Sequence, residues 1–279
     1  MRRAAVLATV AAIATAGVPG SALGAPTTGV RLLAVGDIAS CYSDGDGQTA
    51  ALASALRGPI AVLGDIAYEY GSASDFANCF TPSWGRLVPR IRAALGNHDY
   101  GTGTARVAIR LFRLPPQGWY SYELGGWHVV VLNSNCDEVG GCGRGSPQWR
   151  WLRADLASHP ARCTLAYWHQ PRFSSGEHGS NTAVAPLWNV LAQARAEVVL
   201  QGHDHDYERF APLNGIRSFV VGTGGRSHYP FAAALRGSVV RNDDTFGVLQ
   251  LTLRPSGYDW RFVPVAGKVF TDAGTGRCR

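Results

Sequence analysis

The sequence predicts an α/β fold in which two packed, mixed β-sheets are flanked by helices. Two observations lead to this prediction. Short, wholly apolar strands alternate with helical segments through much of the chain, which is typical of parallel strands buried on both faces. Other segments alternate apolar and polar residues with a period of two, as strands do when one face is buried. We therefore expect a second sheet packed on the first, with the helices outside.

The apolar strands begin with a unit of ordinary βαβ size. Residues 30–35 are predicted to form a strand, residues 48–57 an alanine-rich helix and residues 59–63 a second strand. The segments that continue this pattern are strands at residues 91–95, 164–168 and 197–200 and a helix at residues 183–196. Each of these strands is followed by glycine or by a polar side chain, so the functional residues are expected at the strand ends.

The alternating segments are predicted to form the second sheet. They are residues 120–124, 127–132, 218–221, 248–253 and 258–263. Gly125-Gly126, between the first two, is a two-residue hairpin signal. The chain has no internal repeat and no low-complexity linker beyond its first residues, so we expect a single catalytic domain over residues 25–279.

The first residues have the pattern of an export signal. Arg2 and Arg3 precede a stretch of small apolar residues, and Ala22-Leu23-Gly24 offers a small-residue cleavage site. We therefore interpret residues 1–24 as a signal peptide and predict a secreted protein. The apolar run is too short and too rich in alanine to predict a membrane span.

The six cysteines agree with export, because an even count in an exported chain favours disulfides, although six cysteines allow fifteen pairings. Cys136 and Cys142 flank a short flexible link, and Cys41 and Cys79 follow strands whose ends are expected at the same edge of the sheet. These pairings leave the remaining two, Cys163 and Cys278, for each other. No C-x-x-C spacing is present, which disfavours a zinc site built from cysteine.

The charge balance favours small anionic substrates over nucleic acid. The chain carries 26 basic and 20 acidic residues, a formal charge of +6. This mild excess can attract anions, but no dense basic run or basic helix is present, so nucleic-acid binding is not predicted. The sequence leaves the oligomeric state open.

Five short motifs follow apolar runs and carry the chemistry. They are Gly36-Asp37, Gly64-Asp65-Ile66-Ala67-Tyr68, Gly96-Asn97-His98-Asp99, Trp168-His169 and Gly202-His203-Asp204-His205. Together they supply two aspartates, a tyrosine, an asparagine and three histidines, a mixture of hard and borderline donors that suits a pair of metal ions. Two such ions can clamp the attacking and leaving oxygens of a phosphoryl displacement. No Gly-x-Ser-x-Gly motif is present, which disfavours a serine esterase.

In combination these motifs resemble the calcineurin-like metallophosphoesterases, and more narrowly the purple acid phosphatases. The broad family usually has Asp-x-His in its first motif, whereas the position two residues after Asp37 is Ala39. Tyr68, three residues after Asp65, stands where purple acid phosphatases supply a tyrosinate. The resemblance covers most of residues 31–210, and the remaining C-terminal residues match only in their β character. It implies the αββα sandwich of metallophosphoesterases.

The resemblance also implies a ligand set. One ion, expected to be ferric iron, would be held by Asp37, Tyr68 and His205. The second ion, expected to be divalent iron, zinc or manganese, would be held by Asn97, His169 and His203. Asp65 would bridge the two ions. Carboxylate and phenolate donors suit a hard trivalent ion, and imidazole and amide donors suit a divalent one. Tyrosinate bound to ferric iron would give the protein the colour for which that family is named.

Three further residues are predicted to act on the substrate. By resemblance, His98 stabilises the phosphoryl group or protonates the leaving oxygen, Asp99 orients the His98 ring, and His178 is a second substrate-facing histidine. His128, among apolar neighbours on a strand, and His159, at a helix end before a proline, are interpreted as structural.

We therefore expect a secreted, dinuclear metal hydrolase that acts on a small phosphate ester, most consistent with an acid phosphatase-type phosphomonoesterase. Water would attack phosphorus directly, with no covalent enzyme intermediate. Two alternatives remain open. The chain is a phosphodiesterase or phospholipase-type member of the same fold, or it is a catalytically silent module that binds metal or phosphate.

Overall fold

A computed structural model of the chain, which describes residue 1 and residues 29–279, confirms the predicted fold class. Two mixed β-sheets pack face to face and helices cover their outer faces. The predicted export signal, apart from Met1, lies outside the described residues. Among the described helices, none combines the length and the apolar character that a membrane crossing requires.

The described residues contain thirteen strands and six α-helices. The strands are β1 Val30–Val35, β2 Ile60–Leu63, β3 Ile91–Ala94, β4 Tyr120–Leu124, β5 Trp127–Val131, β6 Cys163–Tyr167, β7 Val198–Gln201, β8 Tyr207–Phe210, β9 Arg217–Val221, β10 Ser238–Asn242, β11 Gly247–Arg254, β12 Gly257–Pro264 and β13 Ala273–Arg277. The helices are α1 Gly45–Ala55, α2 Ala73–Asp75, α3 Thr81–Trp84, α4 Arg106–Phe112, α5 Pro147–Ser158 and α6 Ala185–Gln193.

Each sheet contains a block of parallel strands. The first sheet has the order β13-β12-β11-β1-β2-β3, in which β1, β2 and β3 are parallel. The second has the order β10-β8-β9-β7-β6-β5-β4, in which β5, β6, β7 and β9 are parallel. The carboxyl ends of parallel strands share one edge of a sheet, so each sheet presents several strand ends together.

The predicted division of strands between the two sheets is wrong. Residues 248–253 and 258–263 were expected in the second sheet, but β11 and β12 extend the first sheet through antiparallel pairing of β11 with β1. Conversely, β6 and β7 join the second sheet beside β5. Alternation in the sequence reports which face of a strand is buried, and it carries no information about the neighbouring strand.

The main core lies between the two sheets, and alternation along β1 shows how the layers form. Leu32 and Ala34 point into this inter-sheet core, which they share with residues of the second sheet such as Trp127 and Phe219. Leu33 and Val35 point the other way, into a second cluster beneath the helices of the first sheet. A third cluster packs α5 and α6 onto the outer face of the second sheet.

All six cysteines are paired as expected, in the disulfides Cys41–Cys79, Cys136–Cys142 and Cys163–Cys278. The first joins the loop after β1 to a helical turn at residues 76–80. The third joins the start of β6, in the second sheet, to the residue after β13, in the first. The disulfides are consistent with an oxidising compartment outside the cell.

A buried carboxylate also joins the two sheets. Asp272, just before β13, accepts hydrogen bonds from Tyr207 Oη at 2.7 Å and from Arg209 Nε at 2.6 Å, both on β8 of the second sheet. It also accepts one from Trp260 Nε1 at 3.1 Å, on β12 of the first sheet. One side chain therefore satisfies donors from both layers.

Candidate metal centre

The predicted ligands come together at one edge of the molecule, where the two sheets meet. Four of them follow strands of the first sheet: Asp37 after β1, Asp65 and Tyr68 after β2, and Asn97 after β3. Three follow strands of the second sheet: His169 after β6, and His203 and His205 after β7. The site therefore spans the seam between the sheets.

The backbone that carries these side chains is unusual. Asp37, Asp65 and His203 have φ angles of 60°, 49° and 75°, in the left-handed region that L-residues seldom occupy. Such residues are found mainly where surrounding structure and function require them. Gly64, with φ 90°, leaves room for the site, because a Cβ atom there would lie 2.7 Å from the His169 ring.

Three ligands surround the Tyr68 hydroxyl. It lies 3.0 Å from Asp37 Oδ1, 3.1 Å from Asp65 Oδ2 and 3.2 Å from His205 Nε2. Tyr68 is buried, with 3% of its surface exposed, and so are its three neighbours. These four residues form the first group of the centre.

A second group surrounds His169 Nε2. This nitrogen lies 3.0 Å from Asn97 Oδ1, 3.2 Å from Asp65 Oδ2 and 3.2 Å from His203 Nδ1. Asp65 Oδ2 thus belongs to both groups. Candidate ligand atoms of Asp65, His169 and His203 all lie within 4.8 Å of one another.

Further contacts orient the ligands. His169 Nδ1 faces the Leu63 carbonyl oxygen at 2.8 Å, and His205 Nδ1 faces Ser227 Oγ at 2.7 Å, so in both rings Nε2 is the atom directed to the centre. The second oxygen of Asp37 accepts the His203 amide at 2.9 Å. Partners of this kind fix the ring orientation and tautomer of metal-binding histidines.

The electrostatics of the buried groups fit a cation site. Burial, together with the charges of Asp37 and Asp65, holds the pKa of Tyr68 well above its usual value of 10. Burial and the charge of His169 lower the pKa of His203 to about 3. Burial alone would lower the pKa of His169, but the charge of Asp65 raises it to about 9. The carboxylates, the phenol and the imidazoles thus lie so close together that the charge of each one shifts the pKa of its neighbours. A pair of cations bound among them would accept the lone pairs of all these groups.

His98 lies beside the first group, but its orienting partner differs from the prediction. Its ring centre is 4.4 Å from that of Tyr68, and its Nδ1 lies 2.6 Å from the Glu69 carbonyl oxygen. The Asp99 carboxylate instead accepts the amides of Gly96 at 2.8 Å and Ile66 at 3.2 Å. The expected role of Asp99 in orienting the His98 ring is therefore corrected. Asp99 is fully buried, and through these two hydrogen bonds it holds the backbone of two ligand loops.

His178 lies on the other side of the centre. Its ring stacks on that of His203, with centres 4.5 Å apart and an angle of 29° between planes, and its side chain is exposed. The Asp204 carboxylate accepts its backbone amide at 2.7 Å. The ring therefore lines the open side of the centre, where a substrate would approach.

Sequence reasoning missed Glu69 and Tyr229 and gave no firm role to Arg226. The Arg226 guanidinium lies 5.2 Å from the Tyr68 ring centre and its Nη2 is 2.7 Å from Glu69 Oε1. Tyr229 stacks on His205 with ring centres 4.1 Å apart. The glycine-rich run before Arg226 predicts only a tight turn, and neither glutamate nor tyrosine in a loop is a specific signal.

Comparison with known proteins places the chain among phosphoesterases. The family model for calcineurin-like phosphoesterases matches residues 30–207. An uncharacterized protein of Mycobacterium tuberculosis is 28% identical over 191 residues, 59% of this chain and 34% of that protein. Purple acid phosphatase 22 of Arabidopsis thaliana is 35% identical over 99 residues, 33% of this chain and 22% of that protein. The matches thus span about a third or less of these relatives.

The fold also matches solved structures. A purple acid phosphatase from yellow lupin (Lupinus luteus) seeds superposes with a TM-score of 0.76 and 20% identity, over 88% of this chain and 53% of that one. GAP50 of Plasmodium, described as an anchor in the inner membrane complex, gives a TM-score of 0.71 at 16% identity, over 89% of this chain and 88% of that one. At such identities the likeness concerns the fold alone.

Proposed function

The chain belongs to the calcineurin-like phosphoesterase family, and we propose that it is a secreted, dinuclear metal-dependent phosphomonoesterase of the purple acid phosphatase type. The observation that carries the proposal is the position of Tyr68, whose hydroxyl lies 3.0 Å from Asp37 Oδ1 and 3.1 Å from Asp65 Oδ2. A phenol between two buried carboxylates suits a hard trivalent ion better than an ordinary divalent site. The three disulfides support export.

We assign the two groups of the centre to two ions. Asp37, Tyr68 and His205 would hold ferric iron, and Asn97, His169 and His203 would hold divalent iron, zinc or manganese. The position of Asp65 Oδ2 in both groups supports a bridging role. When bound, such a pair of ions supplies an activated water and neutralises charge on the phosphoryl oxygens.

The residues at the open side of the centre would handle the substrate. His98 Nδ1 faces the Glu69 carbonyl oxygen and donates to it, which leaves Nε2 as the ring atom that would face a substrate oxygen; donation of a proton from Nε2 would require the doubly protonated ring. His178 faces the same opening from the other group and would bind the phosphoryl oxygens. The Arg226–Glu69 pair closes the side next to Tyr68, and the guanidinium nitrogens not bound to Glu69 would be donors for an anionic ester.

His98→Ala is expected to lower kcat by about a hundredfold to ten-thousandfold, the usual range for loss of a general acid. The metal content is expected to stay at two ions per chain, because no ring nitrogen of His98 contacts the two ligand groups. Its Nδ1 faces Glu69 instead. Steady-state kinetics and elemental analysis measure the two effects. A turnover equal to that of the wild type would remove His98 from the mechanism.

The proposed activity is tested by comparing hydrolysis of nitrophenyl phosphate with that of bis-nitrophenyl phosphate. The protein is loaded with iron and zinc or manganese, and His203→Ala is the control that lacks one ligand. We expect preference for the monoester, loss of activity in the control and a visible absorption band from the iron–tyrosinate pair. Preference for the diester would reassign the protein to a phosphodiesterase, and activity on neither substrate with both ions bound would contradict an enzymatic role.

A further inference from the structure

A second cluster of metal-binding side chains lies at the other end of the second sheet. His128 is at the start of β5, Asp155 is in the last turn of α5, and His159 follows that helix. His128 pairs in the sheet with Thr164 of β6, and the ligand His169 lies five residues further along the same segment. At about 3.3 Å per residue, roughly 16 Å separates the cluster from the metal centre. The proposed reaction does not use it.

We propose that His128, Asp155 and His159 form a separate binding site for a divalent transition-metal ion of the zinc type. His128 Nε2 lies 2.8 Å from Asp155 Oδ2, and His159 Nδ1 lies 3.3 Å from Asp155 Oδ1. Candidate ligand atoms of all three residues lie within 4.8 Å of one another. Three ligands bound at about 2.0 Å to one tetrahedral ion would lie about 3.3 Å apart, close to these separations.

Neighbouring side chains already hold two of the ligands in place. Glu123 Oε1 lies 2.9 Å from His128 Nδ1, so that ring nitrogen donates to a carboxylate while Nε2 points into the cluster. This carboxylate–histidine arrangement is the one that commonly supports metal-binding imidazoles. Ser121 Oγ donates to Asp155 Oδ1 at 2.7 Å. The supporting contacts are thus those expected of a built site.

The exposure of the three ligands would give the ion a route in and an open position. The side chains of His128 and Asp155 are 1% and 6% exposed, whereas that of His159 is 47% exposed. The rings of His128 and His159 stack with centres 4.8 Å apart. Two buried ligands and one ligand facing solvent leave a fourth position for water.

Binding requires two local changes. His159 Nδ1 lies 2.9 Å from the Asp155 carbonyl oxygen and must turn from that oxygen toward the ion. The ion must also replace the proton between His128 Nε2 and Asp155 Oδ2, which is released to solvent. The exposed His159 ring has room to turn. The bound ion would fasten the end of α5 to β5.

The test compares zinc content in wild type and His159→Ala, both expressed without a histidine tag and dialysed against buffered Zn²⁺. We expect the wild type to hold one more ion per chain than the variant, with equal phosphatase activity, since His159 lies far from the metal centre. Glu123→Gln is expected to weaken this extra site by about ten- to a hundredfold. Zinc should also raise the Tm of the wild type more than that of His159→Ala.

Equal metal content and equal zinc-dependent Tm in the wild type and His159→Ala would overturn the proposal. Because the readout is the difference in bound ions, the result does not depend on which substrate the metal centre hydrolyses. Since His159 is exposed, the variant is expected to fold, which circular dichroism without added zinc would verify.

Discussion

Asp65→Asn is expected to abolish tight binding of both metal ions and to lower kcat/KM by about a thousandfold or more. Asp65 Oδ2 is the atom shared by the Tyr68 and His169 groups, so its loss as an anionic ligand weakens both. Losing about 4 kcal/mol of the stabilisation that metal ions give to a phosphoryl transition state lowers the rate about a thousandfold. Elemental analysis and kinetics measure the two losses together.

Asp65→Asn removes the negative charge of the side chain with little change in its shape or in the backbone. Asparagine has nearly the shape of aspartate and tolerates the left-handed backbone, where Asp65 has a φ of 49°. Glu197→Gln is the control: this carboxylate is also buried, at 2% exposed, but it accepts the amides of Thr164 and Arg279 away from the centre. We expect the control to keep both ions. If Asp65→Asn keeps two ions and activity within tenfold of the wild type, the bridging assignment is wrong.

Asp272→Ala is expected to lower the free energy of unfolding by about 3 kcal/mol or more, the usual cost of breaking a buried ion pair. The change leaves the Arg209 guanidinium, which donates to Asp272 at 2.6 and 3.0 Å, without its partner, and removes the acceptor of Tyr207 Oη. For a chain of this size the Tm should fall by roughly 6–12 °C, measured by calorimetry with the disulfides intact.

The exposed pair Arg254–Asp259 provides the matched control. Its side chains are 42% and 40% exposed, so Asp259→Ala should cost less than about 1 kcal/mol. Equal losses in the two variants would show that Asp272 contributes no more than a surface pair.

The contribution of Asp272 should also depend on pH. Burial alone would raise its pKa, but the hydrogen bonds and charge of Arg209 hold it below the usual 3.8. A carboxyl with a lowered pKa in the folded state contributes stability that is present above its unfolded pKa and is lost as the pH falls through the folded value. The stability difference between wild type and Asp272→Ala should therefore be constant near neutrality and shrink below about pH 4.

The sequence was most informative where a strand ends in a specific residue type. β1 and β4 have the predicted bounds, and all seven predicted ligands lie at the same edge, because parallel strands place their carboxyl ends together. Of helix α5 only the end, at His159, was predicted, although its start carries a usable signal, Ser146 as the capping residue followed by Pro147. The sheet to which β11 belongs could not be predicted, because strand partners are set by long-range packing.

The surroundings of the catalytic residues were harder to predict than the ligands. Whether Asp99 or the Glu69 carbonyl meets the His98 ring depends on the path of a loop, and the sequence pattern describes residue types rather than loop paths. The contact of Tyr229 with His205 likewise joins positions 24 residues apart, across the paired strands β8 and β9 and the loop that follows them. Such contacts become visible only with coordinates.

The location of the centre at the seam has a mechanical consequence. Each ligand group draws side chains from both sheets: His205 of the second sheet faces Tyr68 of the first, and Asn97 of the first faces His169 of the second. The spacing of the ligands within each group is therefore set by how closely the sheets pack. That packing distance is determined by side chains of the inter-sheet core that are not ligands, such as Trp127 and Phe262. The volume of this core thus sets the distances between ligands of the same ion, and a change in that volume would alter the metal centre without any change in a ligand.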